Sequence, residues 1–252
     1  MAKTKRSIIV LWIVVISCIL SSVVCASGTL GSAYVFTVNT DDINVQLPSG
    51  CTIMSDLDFI GYEADEYINN NAASVYSFLP TSTICVIMGH GAAGRIRCAQ
   101  QYGTTGEYTR IRSDDHFPIP SYDRALSNLP NLKGSEENRL TIFMGCNTAD
   151  TPDPVPDSTQ ITGYWYSGSL PYMAFIKTTT TAMGWTESIQ IRSMVPWLES
   201  FVNASRVHNI SYAVGVADLE ILNTQGEEAY EKISSHLIRG DSSQYLGLDE
   251  DW

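Results

Sequence analysis

Apolar positions in this chain gather into short unbroken runs, and two of those runs end alike. Thr83-Ile84-Cys85-Val86-Ile87-Met88-Gly89 delivers His90-Gly91, and Leu140-Thr141-Ile142-Phe143-Met144-Gly145 delivers Cys146-Asn147-Thr148. Bounded runs without polar alternation suit strands covered on both faces, as in a parallel sheet. Thr179 to Trp185 reads as a third such strand, and Tyr34 to Val38, which alternates weakly, as the first of the chain. Cys51 to Met54 reads as a short strand. From Glu63 to Leu79 the positions Ala64, Tyr67, Ile68, Ala72, Val75, Tyr76 and Leu79 have helical spacing, which Pro80 ends. Further helices are predicted at Tyr122–Leu132, Leu170–Thr178, Ser193–Val202, Tyr212–Leu222 and Ala229–Ser235. Arg95 to Arg112 is polar and hairpin-like, and His236–Asp241 leads to a closing strand at Tyr245–Leu248.

Helices alternating with buried strands predict an α/β domain whose sheet is mostly parallel, with the chemistry on loops at the carboxyl ends of the strands. If the His90 and Cys146 strands are neighbours, the two side chains face each other across one crevice. A thiol beside an imidazole is a nucleophile with its base: the thiolate attacks, and the imidazolium stabilises it and protonates the leaving group. The long stretch 150–168, with Tyr164-Trp165-Tyr166, follows Cys146 directly and reads as a binding wall. His116 and His208 lie in polar segments and read as surface residues, minor alternatives to His90 as base.

The amino terminus changes the picture of where this chemistry operates. Lys3, Lys5 and Arg6 precede an apolar stretch to about Ala26, with Val24-Cys25-Ala26 as a small-residue cleavage pattern. Residues 1–26 are therefore a signal peptide or an uncleaved membrane anchor, and 27–252 a single domain, secreted or held outside the membrane. Removing the three basic residues of this segment leaves 12 Lys and Arg against 27 Asp and Glu, a charge of −15. Such acidity disfavours nucleic-acid binding and favours cationic peptides. Asp41, Asp56 and Asp58 are candidates for holding a basic P1 side chain. Four cysteines remain outside the segment: Cys51, Cys85, Cys98 and Cys146. Cys85 and Cys98 flank the His90 turn and are the favoured disulfide, with Cys51 as a rival partner for either. No metal or cofactor is called for. There is no C-x-x-C, only four His, and calcium is not indicated by any motif.

In order along the chain, these elements resemble the caspase-hemoglobinase superfamily of cysteine peptidases, especially its gingipain-like and CHAT-domain branches. Ile87-Met88-Gly89-His90-Gly91 resembles that family's apolar-His-Gly element, and Ile142 to Ala149 its apolar-x-x-Cys-x-Thr element. Thr181 to Glu187 resembles the strand after the nucleophile loop, and Leu237-Ile238-Arg239-Gly240-Asp241 the late Gly-Asp element. Gly145 stands where many members have Ala, and the first strand and following helix match only in general pattern.

The resemblance implies a three-layer α/β/α sandwich with a mostly parallel central sheet. It gives Cys146 as nucleophile, His90 as the acid for the leaving amine, and the backbone N–H groups of Gly91 and Cys146 as the oxyanion site. It also brings Trp185 and Glu187 in as candidates for the primary specificity pocket. The expected function is an exported cysteine endopeptidase acting on peptides or proteins through a thioester intermediate. The alternative is a non-catalytic module of the same fold that binds peptides or a protein partner.

Overall fold

The computed structural model describes residues 29–40, 43–100, 108–113, 120–130, 138–150 and 168–247. The amino-terminal segment, Asp41, His116 and the Tyr164-Trp165-Tyr166 wall lie outside the described residues. In chain order the elements are β1 (Ser32–Thr37), β2 (Asn39–Thr40), β3 (Ile43–Asn44), α1 (Ile53–Ile60), β4 (Glu63–Ile68), α2 (Ala72–Phe78), β5 (Ile84–Met88) and β6 (Gly91–Ala92). They continue with β7 (Arg95–Gln100), β8 (Tyr108–Arg112), β9 (Arg124–Ala125), a short 3-10 turn (Leu126–Asn128), β10 (Leu140–Met144) and α3 (Leu170–Lys177). The last are β11 (Thr181–Trp185), α4 (Ile191–Ala204), α5 (Ile210–Gln225), α6 (Glu227–Ile233) and β12 (His236–Gly240).

Six strands form the central sheet in the order β12-β11-β10-β5-β1-β4, parallel except for β12 at one edge. The strands from β1 to β11 at its centre owe their unbroken apolar character to burial on both faces. Ile84, Val86 and Met88 of β5 join Leu140, Ile142 and Met144 of β10 in one core layer, closed by α1, α4, α5 and α6 through residues such as Leu57, Trp197, Ala213 and Ile233. Cys85, Ile87 and Phe143 point the other way, toward Val75 of α2, Met173 of α3 and Ile96, Cys98 and Ile111 of the β7–β8 hairpin. Helices thus cover both sides of the sheet, the expected three-layer α/β/α sandwich. A second sheet, β6-β7-β8-β9, grows directly out of the His90 turn.

Several elements differ from their expected form. The predicted helix over 63–79 is a strand followed by a helix: β4 pairs parallel to β1 from Ser32↔Glu63 to Thr37↔Ile68, and α2 begins after Asn71. Cys51 to Met54 opens helix α1, and Gly61, at φ 117°, closes that helix in the left-handed region that glycine enters freely. The expected Tyr122–Leu132 helix is, where described, the two residues of β9 and the 3-10 turn. The closing strand is His236–Gly240, antiparallel to β11, with Tyr245 making a single bridge to Asn209.

The Cys85–Cys98 disulfide is also corrected. Cys51, Cys85, Cys98 and Cys146 are all free thiols. Cys85 and Cys98 sit in the same apolar layer but in strands of different sheets, each fixed by its own ladder rather than by a covalent link. Burial pushes both thiols up to about 12.

Candidate active site

His90 and Cys146 are brought together by strand register. Met88, the last residue of β5, is paired with Met144, the last of adjacent parallel β10, so His90 and Cys146 each stand two residues beyond the same rung. The Gly89 N–H extends that pairing, donating to Met144 O at 3.1 Å. The two turns then pack backbone to backbone. A Cβ on Gly91 would meet Cys146 O at 2.3 Å and Cys146 N at 2.7 Å, and one on Gly145 would meet Gly89 O at 2.7 Å and Gly91 N at 3.0 Å. Glycine at both positions is what lets the histidine and cysteine turns touch. The Gly91 and Cys146 residues expected to supply oxyanion N–H groups belong to the two turns that make this contact.

Each turn is anchored from behind. Arg97 N–H of β7 donates to His90 O at 2.7 Å, tying the histidine turn to the hairpin. On the cysteine side, Asn147 takes φ 56°, a left-handed conformation that asparagine tolerates better than most residues. Its N–H donates to Glu187 O at 3.0 Å, and its amide Nδ2 donates to Asp150 Oδ2 at 2.9 Å and Thr186 O at 3.1 Å. Ala149 N–H donates to Trp185 O at 2.8 Å. The buried Thr148 hydroxyl lies 2.8 Å from Phe143 O and accepts from Trp185 N–H at 3.1 Å. Cys146 is therefore held between β10 behind it and the 186–190 loop beside it. Its thiol, half-buried, lies 3.6 Å from Ile189 O, a weak sulfur contact.

Of the other expected site residues, Glu187 is exposed on this same loop, where its carbonyl rather than its carboxylate is seen at work. Trp185 is a correction. It is 0% exposed, its indole N–H donates to Ile233 O at 2.6 Å, and its ring stands edge-on to Trp197 at 5.4 Å, so it belongs to the core. Asp58 is another. Its carboxylate accepts from Ala64 N–H at 3.2 Å at the start of β4, the amino end of the sheet, opposite the edge that carries His90 and Cys146. Asp56 is nearly buried, accepts from the Thr52 hydroxyl at 3.1 Å and pairs with Arg206 at 3.4 Å. His208 packs against Tyr212, with ring centroids 4.1 Å apart and planes tilted by 41°, at the helical α4–α5 corner. Among the described residues no group of three or more His, Cys, Asp and Glu side chains gathers as a metal site.

Sequence reasoning missed the part played by the 186–190 loop, whose carbonyls at Thr186, Glu187 and Ile189 receive the cysteine turn. The signal was slight: Ser188 and Asn147, whose side chains lie 3.4 Å apart, are 41 residues apart in the chain.

A parallel sheet edged by one antiparallel strand and flanked by helices is an architecture this chain shares with solved gingipain structures. Solved structures with this architecture include the Arg-specific cysteine proteinase gingipain R, at TM-score 0.51 and 9% identity, matched over 87% of this chain and 49% of that one. The complex of the pro- and mature domains of RgpB from Porphyromonas gingivalis matches at TM-score 0.55 and 10% identity, over 86% of this chain and 50% of that one. The separase–securin complex of Saccharomyces cerevisiae gives a lower TM-score, 0.47, at 11% identity, over 84% of this chain and 12% of that one. This chain spans about half the length of the gingipain chains it matches. No protein-family profile matches the sequence, and no curated protein matches it.

Proposed function

We propose that this chain is an exported cysteine endopeptidase. Cys146 is its nucleophile and His90 its acid–base partner. The observation that carries the reading is the contact of the two turns at Gly91 and Gly145, which sets a thiol and an imidazole on neighbouring strand ends. The gingipain R neighbour, named as a cysteine proteinase, supports it at the level of the fold.

In this mechanism the Cys146 sulfur attacks the peptide carbonyl carbon, and the Gly91 and Cys146 N–H groups receive the developing oxyanion. The C–N bond breaks as His90 hands its proton to the leaving amine, leaving a thioester on Cys146. Water, deprotonated by His90, then attacks the thioester and releases the acid, with the proton returning to the dyad. The charged-then-apolar amino terminus supports export, and peptides or proteins are the substrates. Asp56 and Asp58 are engaged elsewhere, so the expectation of a basic P1 residue is left with the acidity of the chain and Asp41.

Comparing the wild type with Cys146→Ala on a library of quenched fluorescent peptides tests the reading. Loss of a thiol at a strand end removes about 1 to 2 kcal/mol of stability at most, so the variant stays folded while all cleavage disappears. Cleavage at the wild-type rate by Cys146→Ala would overturn the mechanism. A wild type that cleaves no peptide, with or without its amino-terminal segment, would leave the fold as a binding module.

A further inference from the structure

The hairpin that grows from the His90 turn carries arginines at alternate positions of both strands: Arg95 and Arg97 on β7, Arg110 and Arg112 on β8. Their neighbours Ile96, Cys98, Thr109 and Ile111 are buried in the core, so the four arginines share the outer face. The register sets them directly opposite one another, Arg95↔Arg112 and Arg97↔Arg110. Like charges facing across a ladder are destabilising, and this chain places two such pairs side by side while its net charge is −12.

One fully buried carboxylate, Asp123, supports the face from within. It accepts from Arg112 Nε at 2.6 Å and from Arg110 N–H at 2.9 Å, and Arg110 Nη1 lies 3.8 Å away. The side chains above it keep access to solvent, 33% exposed for Arg110 and 22% for Arg112, while Arg95 is exposed. Arg97 Cζ lies over the Tyr108 ring, 3.7 Å from its centroid, a cation–π contact that holds the guanidinium at this face. Burial, followed by the neighbouring Arg112 and Arg110, pulls Arg95 below the ordinary arginine value, the direction mutual repulsion gives.

We propose that this outer face is a docking surface for an acidic peptide segment, gripped by Arg95, Arg97, Arg110 and Arg112. Planar guanidiniums in a fixed array match carboxylates in bidentate geometry. The face adjoins the candidate active site, since Ala92 pairs with Arg95 and Arg97 N–H bonds His90 O. A long polyanion would meet repulsion from the rest of the acidic chain, whereas a short acidic stretch reaches the patch alone. The inference deepens the peptidase reading and rests on it for the nature of the ligand: the acidic stretch belongs to the substrate and lies beside the scissile bond.

The test is fluorescence anisotropy on the full chain carrying Cys146→Ala. One probe is a fluorescein-labelled dodecapeptide rich in Glu, and the other is its Gln counterpart. The Glu peptide binds at least about tenfold more tightly than the Gln peptide at low salt, and loses that advantage as ionic strength rises. Arg95→Gln/Arg110→Gln removes most of the preference, while the melting temperature changes little, because relief of the repulsion offsets loss of the longer Arg110–Asp123 pair and Arg112 keeps the close one. This double variant leaves the Arg112–Asp123 pair and the Arg97–Tyr108 contact in place. Equal affinity for the two peptides, a preference untouched in the double variant, or binding of heparin or an RNA oligonucleotide with none of the Glu peptide would overturn it. Selective binding of the Glu peptide together with no cleavage by the wild type would sink the peptidase reading and leave the docking surface standing.

Discussion

Adding one methyl group at Gly91 puts the contact between the two turns under direct strain. Built on the present backbone, the new carbon would lie 2.3 Å from Cys146 O, 2.6 Å from Gly145 C and 2.7 Å from Cys146 N. Comfortable carbon contacts begin near about 3.5 Å, so relief takes a separation of roughly 1 Å. All three neighbours are backbone atoms of a turn that is itself bonded to the 186–190 loop, so no flexible side chain can absorb the shift. Overpacking of this kind costs about 1 to 3 kcal/mol, and a displacement of about 1 Å at reacting groups lowers turnover by on the order of a hundredfold. Gly91→Ala therefore loses far more activity than its stability loss explains.

The assay is thermal denaturation together with kcat/KM on whichever library peptide the wild type cleaves. The control is Gly215→Ala. Gly215 lies within α5 and a Cβ there meets nothing within 4 Å, so that substitution gains up to about 1 kcal/mol from helix propensity and leaves turnover alone. If Gly91→Ala kept wild-type melting and wild-type kcat/KM, the packed-turn argument would be wrong.

Trp185→Ala removes about 3 to 5 kcal/mol of stability, read by urea unfolding, because the indole is wholly buried and bonded to Ile233 O; a folded variant with altered peptide preference instead would restore a pocket role. Alkaline titration reports the buried thiols. Cys85 and Cys98 are raised by burial from 9.0 to about 12, so above pH 9 the unfolded chain ionises them first and stability falls as pH rises toward 12. The fall is on the order of 1 kcal/mol per pH unit for each thiol, and Cys85→Ala/Cys98→Ala flattens it. An unchanged alkaline slope in that double variant would refute the assignment.

The unbroken apolar strands were legible because burial on both faces leaves a mark that needs no knowledge of partners. Ile84–Met88, Leu140–Met144 and Thr181–Trp185 all lie where the pattern puts them, as does the order in which they deliver His90 and Cys146. Edge elements were not legible. In β4, Ala64, Tyr67 and Ile68 have the spacing of a helix face, and α2 continues the same rhythm across the break. Only Asn69-Asn70-Asn71 marks the join: Asn69 sits at φ 56° and Asn71 caps α2 by accepting from Ser74 N–H. The role of Trp185 follows from parity, since it continues the face of Met183 into the core, and parity was visible once the strand was accepted. What sequence could not carry was the fate of the carboxylates. Asp56 finds Arg206, 150 residues away, and Asp58 caps the start of β4; both partnerships are products of the packing of α1.

The central claim is that Cys146 is activated by His90, and the alkylation rate of individual cysteines at pH 6 tests it most directly. A thiolate stabilised by a neighbouring imidazolium reacts with iodoacetamide where ordinary thiols are silent. Cys85 and Cys98 are buried and raised to about 12, and burial also raises Cys51, so none of these competes at that pH. Peptide mass spectrometry after a short exposure finds carbamidomethyl on Cys146 first, and His90→Ala abolishes the preference. Equal labelling of Cys146 and Cys51, or labelling of Cys146 that survives His90→Ala unchanged, would contradict the account.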